Sequence, residues 1–139
     1  MINKILKPVA VLAIVSVVLF FIHQLVFGSE AQENVYSLIR LYSFHFFITA
    51  NVFIVCTLIA KHLKEQIGLV FLAMVFVKMI LIYFGFESVF ELEGQKEILI
   101  GFVAPYVIYL GIEVYLVLQV LKEIDFTNSE GTKIKDETN

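Results

Sequence analysis

Four apolar stretches, each bounded by charged or turn-forming residues, dominate this sequence. They lie near residues 8–27, 41–60, 67–86 and 98–121. Each is long enough to supply the ~20 helical residues that cross a hydrocarbon core of about 30 Å. The runs lack the period-two alternation of a barrel strand, and a helix satisfies its own backbone hydrogen bonds in lipid. We therefore expect an all-α integral membrane protein, with a four-helix transmembrane bundle in residues 1–124.

The composition agrees with a chain embedded in lipid. Hydrophobic residues make up 60% of the 139 residues and charged residues 17%. Soluble domains average about 45–50% and about 25%. The net charge of −3 and the lack of a basic stripe argue against a nucleic-acid partner. The first expected partner is the lipid bilayer.

The first apolar stretch predicts an uncut transmembrane helix. Lys4 and Lys7 precede it, as in a secretory signal, but its apolar run exceeds the 7–15 residues typical of a signal core. Pro8 is expected at the first turn of the helix, where a missing N–H costs no helix hydrogen bond.

The distribution of basic residues predicts the orientation. Lysines flank the start of span one, fill the link between spans two and three, and follow span four, whereas Arg40 and Lys96 are the only basic residues on the other side. By the positive-inside rule both termini are cytoplasmic. The opposite loops are acidic, with Glu30, Glu33, Glu87, Glu91, Glu93 and Glu97. Residues 125–139 are polar and have too few apolar side chains for a core, so we expect a flexible cytoplasmic tail.

Two charged residues lie inside predicted spans: Lys78 in span three and Glu113 in span four. A charge at mid-depth costs about 2.5–3.5 kcal/mol on insertion scales, so each should face the bundle interior and find a partner. Counted from the cytoplasmic ends, Lys78 is roughly 16 Å deep and Glu113 roughly 12 Å deep. We expect a buried ion pair that fixes helix register, with a proton or ion path and pairing with another subunit as open alternatives.

Further polar residues share that depth. Asn51 in span two lies roughly 13 Å deep, level with Lys78 and Glu113, and an amide in lipid usually bonds to a neighbouring helix. Tyr106 and Tyr109 share a helix face with Glu113. The sequence therefore predicts one intramembrane polar cluster of Asn51, Lys78, Glu113, Tyr106 and Tyr109.

His23 and His45 form a second predicted layer, each roughly 22 Å from the cytoplasmic side. A pH-sensing or metal-binding pair is one reading; interfacial histidines bonded to carbonyls or lipid headgroups are the favoured one. Two histidines without a carboxylate at helical spacing are a weak zinc signal, so no metal or cofactor is expected. Pro105 predicts a kink in span four. No catalytic motif occurs, which argues against an enzyme.

From Asn51 onward the chain resembles ATP synthase protein I, a small membrane protein encoded with bacterial F-type ATP synthases. Four features match in order: Asn51-Val52-Phe53, the basic link with Lys61, His62 and Lys64, the Phe76-Val77-Lys78 step, and Phe102-Val103-Ala104-Pro105 before an aliphatic span that contains Gln119. In some members a Gly-Glu pair precedes the lysine; here that pair is Met74-Val75, and a glutamate occurs as Glu113.

The resemblance implies a multi-pass protein of the bacterial inner membrane that helps to assemble the c-subunit ring of the synthase. Lys78 would be the family's intramembrane lysine. The leading hypothesis is therefore an accessory or assembly factor of the ATP synthase membrane sector, with the polar cluster fixing the bundle or engaging a c-subunit carboxylate. A small proton or Mg²⁺ channel or carrier and a purely structural membrane protein are the alternatives. Either could act as a homo-oligomer.

Overall fold

The computed structural model describes residues 2–27, 36–91 and 93–137, and side chains as far as residue 125. Every regular element in these ranges is helical, and none is a strand. The elements are α1 (Ile2–Phe27), α2 (Leu38–Ala60), a 3₁₀ turn (Lys64–Gln66), α3 (Ile67–Gly85), α4 (Glu87–Phe90) and α5 (Lys96–Glu137). Four of the helices, α1, α2, α3 and α5, are long and apolar enough to cross a membrane. The prediction of an all-α fold with four such helices is confirmed.

Two helix boundaries differ from those predicted. Helix α1 begins at Ile2 and contains Pro8, so the expectation that Pro8 opens the helix is wrong. The residues before Pro8 extend the helix, and the one hydrogen bond that Pro8 removes falls close to the helix end. Helix α5 continues to Glu137 rather than ending near 121. Its backbone bonds are local, so the polar segment is helical without a core of its own.

Helix α2 is the central element, and it packs against α1, α3 and α5. It buries ten residues in these contacts, whereas α1 and α3 bury only three each. Since most side chains of α1 and α3 are apolar, these two helices present large apolar faces to the outside of the bundle.

Two apolar clusters fill the interior. One contains Leu41, Phe86 and Phe102 and lies toward the loops that join α1 to α2 and α3 to α5. The other contains Phe53, Ile67 and Val117 and lies toward the chain termini. We call these the loop end and the terminal end of the bundle. Buried polar residues at the level of Thr49 and Glu113 lie between the two clusters.

Polar contacts also occur at both ends. At the terminal end Lys4 pairs with Glu123, and Lys64 pairs with Asp125. At the loop end Arg40 donates from Nη2 to the Gly85 carbonyl at 3.0 Å. Residues 28–35 of the α1–α2 loop, with Glu30 and Glu33, lie outside the described residues.

Candidate functional site

The buried pair of Lys78 and Glu113 is the centre of the site. Lys78 on α3 donates from Nζ to Oε1 of Glu113 on α5 at 2.6 Å, and both side chains are 0% exposed. Lys78 Nζ also lies 5.3 Å from the centroid of the Tyr106 ring, where the face of the ring attracts a cation. The expectation that Lys78 and Glu113 meet inside the bundle agrees with this geometry.

Thr49 on α2 completes this layer. Its hydroxyl donates to Glu113 Oε1 at 2.6 Å, so one carboxylate oxygen accepts from both Lys78 and Thr49. The second oxygen, Oε2, has no hydrogen-bond partner among the described residues. The layer therefore joins three helices through a single oxygen atom.

Asn51 does not belong to this layer, so that part of the predicted cluster is wrong. Its side chain is exposed, and its amide donates from Nδ2 to the Phe47 carbonyl of its own helix at 2.7 Å. Residues two positions apart lie about 200° apart around a helix, so Thr49 and Asn51 cannot share a face. Asn51 was included in the predicted cluster only because its depth in the membrane matched that of Lys78 and Glu113. The signal for Thr49 was its spacing of four residues from His45, another buried residue of α2.

His45 lies one turn from Thr49, toward the loop end. Its ring stacks on that of Tyr109, with centroids 5.0 Å apart and planes 12° apart. The His45 side chain is fully buried, and neither Nδ1 nor Nε2 has a hydrogen-bond partner among the described residues. The expectation of an interfacial histidine bonded to a carbonyl or a headgroup is wrong for His45.

His23 is also buried, and it contacts Tyr42 rather than His45. Its Nδ1 lies 3.2 Å from the Tyr42 hydroxyl. The apolar stretch of α1 carries His23 into the interior because α1 packs on α2 along this face. In the part of the chain that the structure describes, no three or more His, Cys, Asp or Glu side chains gather into a metal site.

Ser16 links α1 to the Tyr109 side chain. Tyr109, itself fully buried, donates from its hydroxyl to Ser16 Oγ at 2.6 Å. Ser16 in turn donates to the Leu12 carbonyl at 2.8 Å. Sequence reasoning missed Ser16, because a single serine in an apolar run is common in membrane helices.

These residues form a series of contacts from the middle of the bundle toward its loop end. On α2 and on α5 they share the spacing i, i+3, i+7, which puts three rungs on one face of each helix. The rungs that meet are His45 with Tyr109 and Thr49 with Glu113, and Tyr42 also contacts Tyr109. We call the series the polar ladder: Tyr42, His45 and Thr49 on α2, Tyr106, Tyr109 and Glu113 on α5, Ser16 and His23 on α1, and Lys78 on α3.

Pro105 lies one residue before the first α5 rung, Tyr106. It is fully buried, and α5 stays one helix through it. Its ring removes one backbone hydrogen bond next to the ladder. A kink at Pro105 stays a prediction.

The site has a clear chemical character. It holds one opposite-charge pair away from solvent, with hydroxyl and imidazole groups in series toward the loop end. Such groups can fix helix positions or exchange protons. Comparisons with protein-family models, with curated proteins and with solved structures each find no match to this chain.

Proposed function

We propose that the protein is an accessory or assembly factor of the membrane sector of a bacterial F-type ATP synthase, and that it acts through contacts between transmembrane helices. The proposal joins the resemblance of residues 51–119 to ATP synthase protein I with the outward apolar face of α3. It places the chain in the bacterial inner membrane with both termini cytoplasmic. The c subunits are the proposed partners.

One observation carries the proposal: the residues of the Phe76-Val77-Lys78 step divide between the inside and the outside of the bundle. Lys78 is buried, whereas Phe76 is 58% exposed and Val77 is 48% exposed. Lys78 can therefore fix the rotation of α3 while its two neighbours present an apolar surface to a partner helix.

The buried pair supports one of the two roles considered for Lys78. A lysine that engages a c-subunit carboxylate must be reachable from outside, but Lys78 is 0% exposed and its charge is matched by Glu113. Separating such a pair leaves an unpaired charge in a low-dielectric interior. We therefore assign to Lys78 the role of fixing the bundle, and to the outer face of α3 the role of contacting the partner.

Ring assembly in a deletion strain tests this function. Loss of the protein should lower the amount of assembled c ring on native gels, and the wild-type gene should restore it. Replacing both Phe76→Ala and Val77→Ala should impair restoration, whereas Leu25→Ala with Val26→Ala, two exposed residues of α1, should not. Normal ring levels in the deletion strain contradict the proposal.

A second candidate, proton passage through the bundle, is favoured by the unpartnered polar atoms of the ladder. His45 offers two nitrogens and Glu113 one oxygen without partners among the described residues, about one helical turn apart. Such atoms could pass a proton between the ion pair and the loop end. The positive charge of the Lys78 ammonium would repel a divalent cation near Glu113, so the geometry favours protons over Mg²⁺.

Vesicles that contain the purified protein and a pH-sensitive dye test this candidate. Proton flux should exceed that of empty vesicles and fall in Glu113→Gln and His45→Phe, while Gln119→Leu, a change at an exposed amide of α5, should leave it unchanged. Wild-type flux equal to that of empty vesicles excludes the candidate, and the same vesicles with a Mg²⁺ dye test the divalent version.

A further inference from the structure

Asn51 places a polar amide on the outer surface of the bundle at the depth of the buried ion pair. It lies two residues from Thr49, which bonds Glu113, and near the middle of α2. Apart from Arg40, the exposed residues of α2 follow one face at spacings of mostly four. We call this face the α2 stripe: Ile39, Ser43, Phe47, Asn51 and Leu58.

The side-chain amide of Asn51 has hydrogen-bonding groups that the fold does not use. One N–H donates to the Phe47 carbonyl, and this is the only side-chain hydrogen bond that Asn51 makes among the described residues. A side-chain amide has two N–H donors and an oxygen that accepts. One donor and the oxygen therefore stay available at a depth where lipid tails cannot bond to them.

We propose that the α2 stripe is a self-association surface, on which Asn51 pairs with Asn51 of a second copy. The remaining N–H and oxygen are complementary to the same two groups on an identical residue, so two amides exchange two hydrogen bonds about a two-fold axis. Copies inserted in the same direction have that axis along the membrane normal, which brings each stripe residue opposite its counterpart.

The surface around Asn51 suits a second helix. Ser43 is small and polar, and small residues let helix backbones approach closely in membranes. Beside the stripe, Ser43 and Phe47 line an open groove of about 330 Å³ between α1 and α2, and Ala13, Val17 and Phe20 form its other wall. A bulky side chain of the second copy can fill this groove.

Resonance energy transfer between labelled copies in lipid vesicles, measured over a range of protein-to-lipid ratios, tests the proposal. Asn51→Leu should raise the dissociation constant of the dimer by about threefold to thirtyfold. Gln119→Leu removes a matched exposed amide from α5 and should change nothing. A monomeric wild type, or a dimer that Asn51→Leu leaves intact, overturns the proposal.

Disulfide cross-linking locates the surface independently of affinity. With the buried Cys56 replaced by Ala, Ser43→Cys should cross-link to itself, and adding Asn51→Leu should lower the yield of the product. Val114→Cys, at an exposed position of α5, should give no product. Cross-linking at Val114 but not at Ser43 assigns the dimer to another face and contradicts the role of Asn51. Neither test depends on the synthase, so a negative result for self-association does not contradict the proposed function.

Discussion

At the scale of single residues, the ion pair of Lys78 and Glu113 dominates the energetics of the interior. Removing one partner of a buried pair leaves an unpaired charge and costs about 3–5 kcal/mol, whereas replacing both partners by apolar residues of similar size is often neutral or stabilising. The pair therefore contributes more to the choice of helix positions than to net stability.

A double-mutant cycle should reveal this asymmetry. We expect Lys78→Met and Glu113→Leu each to destabilise the protein in mild detergent by about 3–5 kcal/mol, and the double variant to recover most of that loss. Reversible unfolding in mixed micelles, followed by helical circular dichroism, gives the free energies. Additive losses in the double variant mean that the two side chains do not pair.

Thr49 offers a second test at this scale. Thr49→Val keeps the shape but removes a hydrogen bond to the Glu113 carboxylate, so it should destabilise the protein by about 1.5–3 kcal/mol. Thr57→Val is the matched control, because among the described residues the Thr57 hydroxyl bonds only the Phe53 carbonyl of its own helix. The same unfolding assay compares them. Equal effects of the two changes contradict the role given to Thr49.

Buried residues could be predicted from the sequence where a charged side chain needed a partner. They could not be predicted where burial depended on the rotation of a helix about its own axis. Lys78 and Glu113 were identifiable because an unpaired charge in lipid is costly. Asn51 was misplaced because the polar residues of α2 lie on more than one face, with Ser43 and Asn51 on one side and His45 and Thr49 on another, so they do not show which face is buried. The packing of α2 against three neighbours sets that rotation, and a single sequence does not record it.

At the scale of elements, the four apolar helices differ in how much of their surface the bundle uses. Helix α2 is the most buried of the four, whereas α1 and α3 stay mostly uncovered. The positions of the four helices followed from the apolar runs, but the start of α1 and the end of α5 did not. Helix α1 starts before Pro8, and α5 runs on through polar sequence, because backbone hydrogen bonds can extend a helix beyond the part that packs.

The extension of α5 should contribute little to the stability of the bundle. A stop codon after Asp125 keeps the ion pairs of Lys4 with Glu123 and of Lys64 with Asp125. We expect the free energy of unfolding of the truncated protein to lie within about 0.5 kcal/mol of that of the full chain. Changes at polar positions away from packed contacts usually alter stability by no more than that. A loss above about 1 kcal/mol shows that residues 126–139 pack on the bundle.

At the scale of the whole molecule, the buried polar groups of the bundle bond mostly to one another, and its outer surface is mostly apolar. The polar ladder uses its charge and most of its hydrogen bonds within the chain, and α1 and α3 offer broad apolar faces to whatever surrounds them. This contrast between a polar interior and an apolar surface favours a function that depends on contacts made by the outer surface. On this account, the exposed side of α3 is the proposed contact surface for the partner.

Affinity purification of the tagged protein from its own membranes in mild detergent, followed by mass spectrometry, tests that claim most directly. We expect the membrane-sector subunits of the ATP synthase, the c subunit above all, to be enriched over a control preparation. The Phe76→Ala and Val77→Ala double variant should recover less of them, while the Leu25→Ala and Val26→Ala control should match the wild type. Recovery of the protein alone, or only with copies of itself, contradicts the accessory function.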